Sequence, residues 1–230
     1  MAVFAGAALL VLSVLGVTVV FALNYAFGWD LRIEDPLVQG PLNVGIQILF
    51  WGALFGFIYA VITIKYRLPF GDSIGWRAYD GSAFQYFVRG PVLAIVVVLL
   101  STLLPKVDEK LPFEKLLEEP IVLVMLAVFG VLIAPLLEEM FFRGFLYPVF
   151  ERSLGTAFAV FATSALFSLV HGMQYGWRWQ NLLLLLGVGA VFGMLRARTA
   201  SILPSTFLHA GYNATLFAAV IVAGEHLDKL

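Results

Sequence analysis

The sequence predicts an all-α protein, a polytopic bundle of about seven or eight transmembrane helices. Composition is the first observation behind this: 61% of the 230 residues are hydrophobic and 13% charged, against roughly 45–50% apolar and 25% charged in soluble domains. The second is mean hydropathy, +0.95. The third is arrangement, because the apolar residues fall into seven long runs broken by short polar links. A run that crosses lipid must be helical, since the bilayer offers its backbone no hydrogen-bond partners.

The first run, residues 3–25, lacks the basic flank of a secretory signal and exceeds its apolar length, so it reads as the first transmembrane helix. Residues 42–64 and 91–104 follow, the latter opening on Pro91, which suits a first helical turn. Residues 120–150 open on Pro120 and stay apolar throughout, enough for one continuous helix of about 45 Å. Residues 156–171, 182–195 and 202–223 complete the set, with Pro204 soon after Ser201 at the start of the last. Leu68-Pro-Phe-Gly-Asp-Ser and Lys106-Val-Asp-Glu-Lys-Leu-Pro are clear breaks. No second composition regime or repeat appears, so residues 1–230 read as one transmembrane domain.

Residues 66–89 carry Trp76, Tyr79, Phe84, Tyr86 and Phe87 among charges, the pattern of an amphipathic segment at headgroup depth. For an odd number of spans, Lys65, Arg67, Arg77, Arg89, Arg143, Arg152, Arg196 and Arg198 fall on one side. Arg32, Lys106, Lys110, Lys115, Arg178 and Lys229 fall on the other. The excess predicts a cytoplasmic N-terminus and an external C-terminus, and the expected location is the plasma membrane.

A net charge of −1 gives no basic field, which argues against nucleic acid as a partner. The absence of cysteine removes disulfides, thiolate metal sites and cysteine nucleophiles together. Carboxylate and imidazole chemistry remain.

That chemistry is concentrated in three places. Glu138 and Glu139 lie inside the 120–150 run, where a central charge costs about 2.5–3.5 kcal/mol on insertion scales. Neighbours on a helix point about 100° apart, so the two acids face different ways, and Glu139 stands four residues before Arg143 in the favourable acid-first order. Glu139 is therefore expected to pair with Arg143, leaving Glu138 as a desolvated carboxyl without a local cation, suited to a general base. Phe167 and His171 share a face at the end of the fifth described run, and His209 and Asn213 share one early in the last. Only the third histidine, His226, sits in the polar tail.

Glu138-Glu139-x-x-x-Arg143, Phe167-x-x-x-His171 and His209-x-x-x-Asn213, in this order, resemble the CPBP group of intramembrane proteases, whose best-known members are the type II CAAX prenyl endopeptidases. Gly193 to Ala210 resembles that family's approach to its last motif, so the likeness spans about residues 120–217. It implies a helix bundle around a lipid-shielded cavity and cleavage of a peptide bond by activated water. By position, Glu138 and His171 would activate the water, His209 and Asn213 would stabilise the oxyanion, and Glu139 with Arg143, supported by Phe167, would hold the site. A membrane-associated peptide or protein, prenylated or not, is the implied substrate, in contact with lipid.

The same atoms allow a second chemistry, zinc (Zn2+) held by Glu138, His171 and His209 with an open water position. No compact His-Glu-x-x-His helix accompanies them. Two other functions compete with proteolysis: a non-catalytic membrane scaffold or regulator that keeps the fold, and a proton-coupled carrier using the intramembrane Glu, His and Arg as a relay. The carrier lacks inverted repeats and polar residues to line a path.

Overall fold

The computed structural model describes residues 35–105 and 111–223, and among these it is built of helices with no strand. We number the helices α1 (Pro36–Lys65), α2 (Phe70–Ser73), α3 (Ala83–Ser101), α4 (Pro112–Leu116), α5 (Pro120–Leu154), α6 (Thr156–Val170), α7 (Trp179–Thr199) and α8 (Leu203–Val222). Five of them, α1, α3, α5, α7 and α8, are long and apolar enough to cross a membrane. The protein is an integral membrane protein. The apolar run at residues 3–25 lies outside the described residues.

α1 begins six residues before its apolar run because a cap outranks hydropathy: Asp35 Oδ1 accepts from the Leu37 N–H at 2.9 Å and Pro36 takes the first helical position. Residues 66–89, expected as an amphipathic segment, comprise the single turn of α2, a loop, and the opening of α3, which starts at Ala83 rather than Pro91. Ser82 and Gln85 close a reciprocal capping box there, with bonds of 3.2 and 3.1 Å, so Phe84, Tyr86 and Phe87 already belong to the spanning helix. The loop is tied beneath the α7–α8 corner by Ile202 N–H to Gly75 O at 3.0 Å and Ser201 Oγ to Arg77 O at 2.9 Å.

α5 runs for 35 residues, but it is not a uniform α-helix. Wide π-type turns occupy Phe129–Ile133 and Met140–Leu146. A proline follows each, Pro135 and Pro148, at the place where the wide register calls for an N–H five residues after Gly130 and Arg143. Both carbonyls are thereby left without a helical donor. Arg143, counted above among the loop charges of one face, is fully buried within this helix, which narrows the basic excess.

α6 has 15 residues, about 22 Å of helix against a hydrocarbon core of about 30 Å. Its C-terminal residue, and His171 after it, therefore fall short of the far interface. α6 and α7 pack closely where glycine removes a side chain: a Cβ on Gly193 would meet Val160 Cγ1 at 3.2 Å, and one on Gly189 would meet Ser164 Cα at 3.0 Å. α3 and α8 come closer still, because a Cβ on Gly90 would collide with the backbone of Gly211 and Tyr212, and one on Gly211 with the Phe87 carbonyl. Small residues at a crossing are the usual means of holding helices together in lipid. Gly211→Val should therefore cost about 3 kcal/mol or more of stability, read as a lowered thermal midpoint in detergent; an unchanged midpoint would contradict the backbone contact.

Candidate active site

Four elements build the site. α5 carries Glu138, Glu139 and Arg143, the end of α6 carries Phe167 and His171, and α8 carries His209 and Asn213. α7 supplies the Gly189 carbonyl and the Phe192 ring.

Arg143 and Glu139 are both fully buried and pair at 2.9 Å, Nη1 to Oε1. Arg143 Nη2 donates to Gly189 O at 2.8 Å, an approach that the missing Cβ of Gly189 permits. The guanidinium also lies 5.0 Å from the Phe167 ring centre and 5.3 Å from that of Phe192. Phe142, Phe167 and Phe192 thus enclose the cation in the apolar centre of the bundle. The result is a buried cation held by one carboxylate, one carbonyl and aromatic faces.

Glu138 points to another face, as neighbours on a helix must. Its Oε1 lies 3.9 Å from His171 Nε2 and its Oε2 lies 3.8 Å from His209 Nε2. These gaps are too long for direct hydrogen bonds. His171 Nδ1 sits 2.7 Å from the Phe167 carbonyl, one turn back on its own helix. A carbonyl only accepts, so Nδ1 carries a proton, and in the neutral ring Nε2 presents its lone pair toward Glu138. His209 lies between the two acids, with Nδ1 3.4 Å from Glu139 Oε1, and Phe192 stacks on its ring at 4.6 Å.

Asn213 is anchored by its side-chain N–H to Gly130 O at 2.7 Å. This is one of the two carbonyls that the wide turns and prolines of α5 leave without a donor. The other, Arg143 O, accepts from Arg196 Nε at 3.1 Å. Side chains from α7 and α8 therefore complete the backbone of α5 beside the acids. Asn213 keeps a second N–H and its carbonyl oxygen for other partners.

Glu138, His171, His209 and Asn213 line one cavity of about 180 Å³, room for several waters. Sequence reasoning missed Gln47, Gln174, Tyr175 and Tyr212, which line it too. Gln47 was legible as an amide inside an apolar run. Tyr175 was not, because α6 ends before it and helical spacing from His171 no longer applies. Beyond the polar end the wall is apolar, with Leu126, Phe129, Leu216 and Val220 among its residues.

The zinc reading fits poorly. Two ligand atoms on a tetrahedral zinc at about 2.05 Å stand about 3.4 Å apart, whereas the imidazole-to-carboxylate separations here are 3.8 and 3.9 Å. Among the described residues no three His, Asp or Glu side chains are arranged to share one ion.

No curated protein and no solved structure matches this chain. Residues 120–215, which hold every polar residue expected to form the site, match the family model described as Type II CAAX prenyl endopeptidase Rce1-like, a similarity that supports the protease class in general for this part of the chain.

Proposed function

We propose that the protein is an intramembrane endopeptidase that hydrolyses a peptide bond of a membrane-associated substrate, lipidated substrates included, in the plasma membrane. The observation that carries this reading is Glu138 facing two imidazoles across gaps of 3.8 and 3.9 Å in a cavity inside the bundle. A water between them donates one O–H to Glu138 and the other to His171 Nε2, whose lone pair is set by its Nδ1 bond. Water oxygen attacks the carbonyl carbon as Glu138 takes its proton. His209, when protonated at Nε2, and the free N–H of Asn213 donate to the oxyanion as it forms. The C–N bond then breaks while Glu138 returns the proton to the leaving amine. Glu139 and Arg143 hold the α5 turn on which Glu138 stands.

Purified protein in lipid vesicles should cleave a membrane-anchored peptide to two fragments, read by mass spectrometry, and should continue to do so after exhaustive chelation. His209→Ala should cut the rate by about 100-fold or more through loss of an oxyanion donor. Vesicles that carry a proton flux but yield no fragments would replace the hydrolase with a carrier, and a His209→Ala protein of unchanged function would point to a scaffold.

A further inference from the structure

The cavity carries a second set of polar groups that the proposed chemistry does not use. The Tyr175 and Tyr212 hydroxyls and the Gln47 and Gln174 amides line it, and among the described residues none of these side chains has a hydrogen-bond partner. Tyr212 is the clearest case. It is only 6% exposed and stands on α8 between His209 and Asn213, on the face that borders the cavity. Gln47 places an amide inside the spanning helix α1. Polar groups so deep in an apolar bundle are costly until something hydrogen-bonds to them. Tyr175 lies within electrostatic reach of both Tyr212 and Glu138, so this set borders the acid rather than a separate pocket.

The chemistry of the set is uniform. Phenol hydroxyls and primary amides both donate and accept, as peptide groups do, and none is charged. Among the described residues that line the cavity none is Lys or Arg, and Glu138 is the only acid. The two imidazoles, the only groups there able to turn cationic, both face Glu138.

The cavity follows α8 from His209 to Val220, about 16 Å at 1.5 Å per residue. Its far part is walled by Leu117, Leu126, Leu216 and Val220. Glu114, one turn before Leu117, adds a negative charge near Tyr175. A carboxylate three residues from the bond being cut stands about 10 Å from it, inside that length. There it would meet an apolar wall and like charges, with no cation to pair with, and an unpaired buried charge is the costliest group to place. A Cys-a-a-X tail ends in such a carboxylate.

We propose, on the basis of the endopeptidase reading above, that the cavity takes an uncharged internal stretch of peptide chain. Tyr212, Tyr175, Gln47 and Gln174 hold it through its backbone amides, and a free C-terminal carboxylate close to the cut bond is turned away.

The test uses the purified full-length protein in lipid vesicles and an acyl-anchored model peptide with an uncharged leucine–alanine segment that extends well past the bond cut. The same peptide is then ended three residues past that bond, once as the amide and once as the free acid. The extended and amidated forms should be cleaved at similar rates, and the free acid about 10-fold more slowly or worse. Retention by the Glu138→Gln protein, which needs no turnover, should show the same order. A free acid cleaved or retained as well as the amide would overturn the proposal and leave the peptidase intact. Retention of the amide over the acid with no cleavage by the wild type would support the preference and overturn the peptidase. Neither cleavage nor retention of any form would remove both. Tyr212→Phe keeps the ring and removes the hydroxyl, so it should raise KM roughly 5-fold with kcat and the thermal midpoint little changed. An unchanged KM, or a lowered midpoint in its place, would return that hydroxyl to a structural role.

Discussion

Glu138→Gln should leave the protein folded while lowering cleavage about 1,000-fold, the usual scale for loss of a positioned general base. The substitution keeps the shape of the side chain, and Glu138 makes no direct hydrogen bond to either imidazole at 3.8 and 3.9 Å, so little structure is lost. What disappears is the ability to take a proton from water, since an amide oxygen is a far weaker base. Substrate should still enter and remain uncleaved, and the variant should retain membrane peptides that mass spectrometry can identify. A Glu138→Gln protein with the wild-type rate would refute the mechanism, whereas one that fails to fold would assign the acid to structure.

The second large effect is on stability. Arg143→Met should cost about 3–5 kcal/mol, because it removes one partner of a fully buried ion pair and leaves the Glu139 carboxylate uncompensated. Gly189 O loses its donor in the same step. Adding Glu139→Gln removes the stranded charge, so the double variant should recover much of the loss. Thermal unfolding in detergent of the wild type, both single variants and the pair supplies the coupling energy. Purely additive effects would show that the 2.9 Å contact contributes nothing beyond packing.

Much of this arrangement was legible in the sequence. Composition and run length gave a helical membrane bundle, and helical spacing separated the faces of Glu138 and Glu139 and aligned Glu139 with Arg143. Spacing says nothing about partners on other helices, so the meeting of Glu138 with His171 and His209 rested on resemblance. Starts set by local hydrogen bonds were also misplaced: the Asp35 cap and the Ser82–Gln85 box extend α1 and α3 beyond their apolar runs. Pro135 and Pro148 were visible and the 120–150 run does form one continuous helix, but its two wide turns were not anticipated. The partner of Asn213 is a backbone oxygen exposed by a π-type turn, and no pattern of side chains announces that.

Those two exposed oxygens bear on how the molecule is made. If α5 met lipid alone, Gly130 O and Arg143 O would each lack a donor, at about 1–3 kcal/mol apiece, with acidic and basic groups to shelter as well. Their donors, Asn213 and Arg196, lie on α8 and α7, which the ribosome delivers later. α5 is thus synthesised before the groups that complete it, and its full commitment to the bilayer awaits the emergence of the last two spans.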